Sequence, residues 1–405
     1  MYPREQYLKE IISKKDNGRI KIITGLRRSG KSVLLFQLYR EWLLGEGVKE
    51  DQIIALALDI LENARYRNPL ELDKYVRDHM VDPKKRYYIF IDEIQFVSEI
   101  QNPYVDNEDA KITFIDVILG FMHMDNADVY VTGSNSKMLS SDILTQFRDR
   151  GDEIRVYPLS FAEFYNEYEG DKRGAWQDYY TYGGMPLATS LESHEEKSRY
   201  LKDLFDRTYI KDVLERHEIK NDTEVLDILL DVLASGIGSL TNPSKLANTF
   251  KSERQIGIGS ETIEKYIGYF EESFLIEKAV RYDVKGRKYI GTPAKYYYTD
   301  LGLRNARLGF RQLEETHIME NIIYNELLCR DYSVDVGVVE ISARADGKVS
   351  KKQCEIDFIA ARGSKKYYIQ SALNVSDPTK MDTELRPLKN TKDFFKKIII
   401  SKTSM

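Results

Sequence analysis

Eight residues constrain the fold of this chain more than any other feature. Gly25-Leu26-Arg27-Arg28-Ser29-Gly30-Lys31-Ser32 fits the pattern G-x-x-x-x-G-K-[ST]. An apolar run, Arg19–Thr24, precedes it, and a helical pattern from Lys31 to Leu44 follows. Strand, glycine-containing loop, then helix is the arrangement in which backbone N–H groups close around phosphate oxygens at a helix N-terminus. The competing reading is an ordinary strand-to-helix turn, which does not require all eight positions and both flanks. Gly25, Arg28, Ser29, Gly30, Lys31 and Ser32 are therefore the candidate nucleotide-binding residues. Lys31 is placed to meet the β- and γ-phosphates, and the Ser32 hydroxyl to ligate Mg²⁺. Arg28, beside Arg27, either adds positive charge near the phosphates or faces solvent.

A phosphate loop of this kind needs an acid at the end of a second buried strand. Tyr88-Ile89-Phe90-Ile91-Asp92-Glu93 supplies one. Asp92 is the candidate second metal residue, and Glu93 the candidate base for an attacking water. Two adjacent acids favour hydrolysis by water over transfer to a second substrate. A third strand, Val129–Thr132, leads into Gly133-Ser134-Asn135. Asn135, or else Ser134, is placed to orient that water, since an amide both donates and accepts; the bland alternative is a capped turn. Arg148 and Arg150 follow; either an arginine from here reaches a neighbouring copy's γ-phosphate, or both are surface residues.

The wider pattern agrees. Arg19–Thr24, Ile53–Asp59, Tyr87–Asp92, Asp128–Thr132 and Glu153–Tyr157 are short apolar runs separated by helical stretches. That spacing predicts βαβ units and a parallel sheet covered on both faces, an α/β class. The 405 residues suggest roughly two to four domains. Lys+Arg 60 against Asp+Glu 65 leaves a net charge of −5, which excludes a globally basic nucleic-acid coat but not a local patch. Two cysteines, Cys329 and Cys354, cannot form a disulfide framework. The five histidines lack metal-site spacing. The first residues carry no apolar signal core, and no apolar run reaches about 18 residues, so the expected location is the cytoplasm with no membrane span.

The same stretches resemble a known family, the prokaryotic AAA-type ATPases that carry a C-terminal nuclease-like domain of unknown function. GLRRSGKS at 25–32, YIFIDEIQ at 88–95, VTGSNSKMLSSD at 131–142 and VYPLSFAEF at 156–164 carry the likeness, with YGGMPLA at 182–188, KYYYTDLGLR at 295–304 and EIDFIA at 355–360. They stand in the family's order over nearly the whole chain. The resemblance implies a P-loop NTPase core over 1–160, a helical lid and winged-helix region over 161–305, and a C-terminal α+β PD-(D/E)xK-like domain over 306–405. It implies ATP and Mg²⁺ as ligands and a homo-oligomer as the active form. Counting back from Val156, it makes Arg150 the candidate finger, although Asp149 stands where the family has glycine.

A nuclease centre of that fold needs a helix glutamate, a strand aspartate and an acid two residues before a lysine. Glu320 and Asp357 fit the first two, but the third reads Gln370-Ser371-Ala372, so the nuclease site is expected to be vestigial. Residues 281–295, with Arg281, Lys285, Arg287, Lys288 and Lys295 around Tyr282 and Tyr289, form a candidate DNA contact at the wing, or else a docking hairpin. The expectation is an ATP-hydrolysing switch or motor acting on DNA or a DNA-associated partner. The alternatives are an ATP-regulated binding module that does not need hydrolysis, and an ATP-gated metal-dependent nuclease.

Overall fold

The computed structural model describes residues 2–107, 109–134, 150–219, 223–345 and 348–402. They form two compact units, Met1–Tyr157 and Pro158–Met405.

The first unit is built on five parallel strands: β1 (Ile20–Thr24), β2 (Ile53–Ala57), β3 (Tyr87–Asp92), β4 (Ala127–Gly133) and β5 (Gly151–Arg155), in the order β2-β3-β4-β1-β5. β1 and β3 are buried along their whole length, as strands covered on both faces must be. The helix after β1 starts as α over Lys31–Val33, widens to π over Leu34–Tyr39 and returns to α over Arg40–Gly45. Its Leu34, Leu35, Tyr39 and Leu43 pack with Tyr7 and Ile11 of the first helix, Glu5–Ser13, against Ile23, Phe90 and Tyr130 of the sheet. That apolar layer fixes the direction in which the helix N-terminus points.

One polar network crosses this core. Lys21 on β1 is fully buried and paired with Asp128 on β4. The Tyr130 hydroxyl donates to Asp128 at 2.7 Å and lies 2.6 Å from the Tyr39 hydroxyl, and the Asp16 N–H donates to Asp128 at 3.0 Å. Burial depresses the Lys21 pKa, and Asp128 opposes that shift.

The second unit begins with helices and ends on a six-stranded mixed sheet. Asn242 caps the helix Pro243–Glu253, accepting from the Ser244 N–H at 2.9 Å. The helix Ser260–Glu272 buries Ile263, Tyr266, Ile267 and Phe270. The strands are β6 (Ile276–Asp283), β7 (Lys288–Tyr298), β8 (Ser333–Ala345), β9 (Lys348–Arg362), β10 (Lys365–Ala372) and β11 (Lys396–Ser401), in the order β11-β10-β9-β8-β6-β7. The hairpin turns at Lys285-Gly286, where the Asp283 carboxylate accepts both N–H groups. Helix, helix and hairpin therefore follow in the expected order, and Thr241 bridges to Ala294. The hairpin is not a free-standing wing, however. β6 pairs in parallel with β8 through Arg281–Val336 and Asp283–Val338. The boundary expected between 305 and 306 is corrected accordingly: strands from both sides of it share one sheet, because β8 satisfies the edge that β6 would otherwise leave unpaired.

Three of the sequence stretches meet at one point of the second unit. Asp300 is buried and accepts N–H groups of Gly184 (2.7 Å) and Leu303 (3.0 Å), capping the helix Leu301–Arg307. The Asn305 amide donates to the carbonyls of Tyr180 and Thr181, and the Tyr179 hydroxyl donates to that of Leu159. A Cβ on Gly184 would lie 2.0 Å from the Leu159 carbonyl oxygen, and one on Gly302 2.0 Å from that of Tyr182. PLSF, YGGM and TDLG are thus one packing node.

Candidate functional site: a phosphate loop at the strand ends

The register of the first sheet brings the chemistry to one edge. Thr24 pairs with Gly133, Ile91 with Val131 and Ala57 with Asp92, so β1, β3 and β4 end at the same level. Ligands of open parallel sheets sit beyond these C-terminal strand ends. The loop is shaped by its glycines: Gly25 has φ 134° and Gly30 has φ 100°. A side chain at Gly25 would strike the Val156 carbonyl oxygen at 2.0 Å, so only glycine fits there. Arg28 also takes a left-handed conformation, φ 63°, and its side chain is exposed.

Lys31 is buried (3% exposed) and donates to the carbonyls of Gly25 (3.0 Å) and Leu26 (3.1 Å). Burial pushes its pKa down, and the nearby carboxylates of Glu93 and Asp92 counter that. Asp92 is buried too. Burial raises its pKa, while the hydroxyls of Thr132 and Ser32 hydrogen-bond it and favour the carboxylate. β4 lies between β1 and β3, and this position lets Thr132 tie the acids together. The Thr132 hydroxyl donates to Asp92 and accepts the Glu93 N–H at 2.9 Å. Glu93 itself sits at φ 53°, a left-handed conformation that costs a non-glycine residue about 1–3 kcal/mol and marks functional positions. The Ser134 hydroxyl donates to Glu93 Oε2 at 3.2 Å, and the Gln95 amide donates to the same oxygen.

Of the residues expected from sequence, Gly25, Ser29, Gly30, Lys31, Ser32, Asp92 and Glu93 converge here. Ser134, the alternative to Asn135, touches Glu93; Asn135 and Arg148 lie outside the described residues. Arg150 stands exposed at the start of β5, where its carbonyl accepts the Ile20 N–H at 2.9 Å. That is the opposite edge of the sheet, so Arg150 does not serve its own loop. Thr132 and Gln95 were not singled out from the sequence. Its place in a strand buried on both faces makes Thr132 a buried residue, but only the strand order shows that it meets Asp92.

The donor set fits a magnesium-bound triphosphate. The Ser29 hydroxyl is fully buried and has no hydrogen-bond partner among the described residues. Ser32 and Asp92 offer hard oxygen ligands already in mutual contact.

In the second unit the expected centre is assembled differently from expectation. Glu320, on the helix Glu315–Cys329, accepts from Lys295 Nζ at 2.8 Å and from the Tyr297 hydroxyl at 2.6 Å. Lys295 also lies 2.6 Å from Glu355. Burial disfavours its ammonium, but Glu320, Glu355 and Asp357 outweigh that and hold its pKa above the usual value. The Asp357 carboxylate accepts the Ser371 N–H at 2.7 Å, and burial together with Glu320 pushes its pKa up to about 7. Gln370 Oε1 accepts the Asp357 N–H at 3.4 Å. Lys295, counted above among the wing's basic residues, is thus withdrawn from the surface. Tyr297 and Glu355 were missed, and Lys295 was assigned to the wing, because strand pairing, not sequence spacing, joins them to Glu320.

Comparison with known proteins agrees with this geometry. Residues 17–165 match a family described as an AAA domain, and residues 173–314 match a domain of unknown function, DUF8612. An uncharacterized protein of Haemophilus influenzae is 35% identical over 99% of this chain and 93% of its own length. Another, from Methanocaldococcus jannaschii, is 27% identical over 89% of this chain and 76% of its own. The Walker-type ATPase PABY2304 of Pyrococcus abyssi has a similar fold, with TM-score 0.51 at 12% identity, covering 76% of this chain and 96% of that one. The strand order and loop define a P-loop NTPase fold of AAA type. The chain belongs to the prokaryotic AAA-type P-loop ATPases, in one family with the Haemophilus protein. No helix among the described residues is long and apolar enough to cross a membrane.

Proposed function

We propose that this chain binds ATP with Mg²⁺ and hydrolyses it, and that the cycle drives a switch or motor acting on DNA or a DNA-associated partner. The observation carrying the reading is the coupled cluster at the strand ends: Lys31, Ser32 and Asp92 on one side, Glu93 held by Ser134 and Gln95 on the other, and Thr132 between them. In this reading Lys31 exchanges its two loop carbonyls for phosphate oxygens. Ser32 and Asp92 hold Mg²⁺, which supplies charge neutralisation when bound. Glu93 takes the proton of the attacking water, while Ser134 and Gln95 hold its Oε2 in place. In this reading Arg150 acts on a neighbouring copy, and a homo-oligomer is the active form.

DNA contact rests on the β6–β7 hairpin. Lys285, Arg287, Lys288 and Tyr289 are exposed there, and Arg281 is half-buried. The stripe is shorter than expected, since Lys295 is buried. The test is steady-state ATP hydrolysis by the purified chain, with and without double-stranded DNA, at two salt concentrations. Glu93→Gln and Lys31→Ala should abolish turnover, and DNA stimulation should weaken with salt. Full turnover in Lys31→Ala overturns the ATPase reading. Hydrolysis indifferent to DNA moves the partner to a protein, and DNA stimulation unaffected by Lys285→Ala/Arg287→Ala/Lys288→Ala moves the DNA contact away from this hairpin. A biological effect that survives Glu93→Gln favours the binding module that needs no hydrolysis.

A further inference from the structure

The resemblance to nuclease-like domains implies a divalent metal among Glu320, Asp357 and the residue at position 370. The residues present do not fit one. Glu320 Oε1 is taken by Lys295 at 2.8 Å and by the Tyr297 hydroxyl at 2.6 Å. The third position is a neutral amide whose oxygen faces the Asp357 N–H, and one Asp357 oxygen faces the Ser371 N–H. Gly238, at φ 70°, closes over the helix residue so tightly that a Cβ there would come within 3.2 Å of the Glu320 carboxylate. Among the described residues no three acidic, histidine or cysteine side chains converge in a way that would hold a metal.

We infer that Lys295 is the resident cation of this centre, its ammonium seated between Glu320 and Glu355 where a metal-dependent nuclease would hold its ion. Lys295 is 3% exposed and Glu320 8%, so the ammonium is sealed in rather than resting on a surface. A buried ammonium within 2.8 Å of two carboxylates supplies the positive charge those groups require, and a second cation in the same space would be repelled by it. The strand lysine that supports a nucleophile is absent at Ala372, and Lys295 does not replace it, because both carboxylates hold it. The centre is therefore structural: it pins β7 to the helix Glu315–Cys329 and to β9. This conclusion does not depend on the ATPase reading.

The experiment is a Mn²⁺ titration of the full, nucleotide-free chain by electron paramagnetic resonance, comparing wild type with Asp357→Asn. Equal binding is expected, with no Mn²⁺-dependent plasmid cleavage that Asp357→Asn abolishes. A Mn²⁺ ion bound by wild type and lost in Asp357→Asn overturns the inference, as does such cleavage. A second arm uses Lys295→Ala. If it folds, it should gain about one Mn²⁺ per chain that Lys295→Ala/Asp357→Asn loses again, and a folded Lys295→Ala without that gain also overturns the inference. If it does not fold, the first comparison decides alone.

Discussion

Thr132 shows how much of this site hangs on a single hydroxyl. It donates to Asp92 and accepts from the Glu93 backbone, so it sets both acids at once. Thr132→Val should lower turnover by roughly 10–100-fold while nucleotide binding persists, the range seen when partners of metal ligands are removed. Thr132→Ser should restore most of the loss; kcat and KM measured separately for the three proteins check this. At the other end of the same strands, Asp128→Ala would leave Lys21 charged and buried without its partner. That should cost about 3–5 kcal/mol. The chain has two tryptophans, Trp42 in the first unit and Trp176 in the second. Urea unfolding followed by Trp42 fluorescence in a Trp176→Phe background therefore reads the first unit alone. At this scale the phosphate loop, Asp92 and Glu93 are legible in the sequence because each follows a strand directly. Thr132, Lys295 and Glu355 are not, because their roles arise from which strand lies beside which.

At the scale of elements, the YGGM and TDLG stretches turn out to be architecture. Burial raises the Asp300 carboxyl to about 6 against its four backbone N–H partners, whereas the unfolded value is 3.8. The native state thus holds the proton more tightly. Its stabilising contribution is present below about pH 4 and is lost as pH rises through about 6, by roughly 3 kcal/mol for a shift of this size. Asp300→Asn keeps one acceptor but turns an amide N–H₂ toward backbone donors, so it should be less stable than wild type. The gap should narrow as pH rises from 4 to 6.5, measured by chemical denaturation followed at Trp176. A constant gap would show that Asp300 does not titrate in that window. Gly184→Ala should be worse at every pH, because its Cβ collides with the Leu159 carbonyl. The sequence motif was visible as a resemblance, but its reason was not: the glycines are needed for close backbone approach, Gly184 to Leu159 and Gly302 to Tyr182, and neither pairing is local in the chain.

For the whole molecule, the position of Arg150 sets the test of assembly. It lies at the edge of its sheet opposite the phosphate loop, so an Arg150 finger operates only between copies. Arg150→Ala should bind ATP normally but hydrolyse it at least about 10³-fold more slowly. Mixing it with Lys31→Ala, itself inactive, should recover activity, because each variant supplies what the other lacks. Absence of recovery, with both variants still able to associate, places the finger elsewhere. The parallel core was legible from its alternation of apolar runs and helices. The sharing of one sheet across residue 305 was not, since parallel pairing of β6 with β8 leaves no local signal in either strand.

Gly25 is the residue through which a filled loop would be felt farther along the chain. Val156 N–H donates to the Thr24 carbonyl at 2.7 Å, and the Val156 carbonyl fills the space a side chain on Gly25 would need. Two residues later the polypeptide leaves the first unit. The phosphate loop and the last residues of the first unit thus share one backbone contact, so a displacement of Gly25 is met first by Val156.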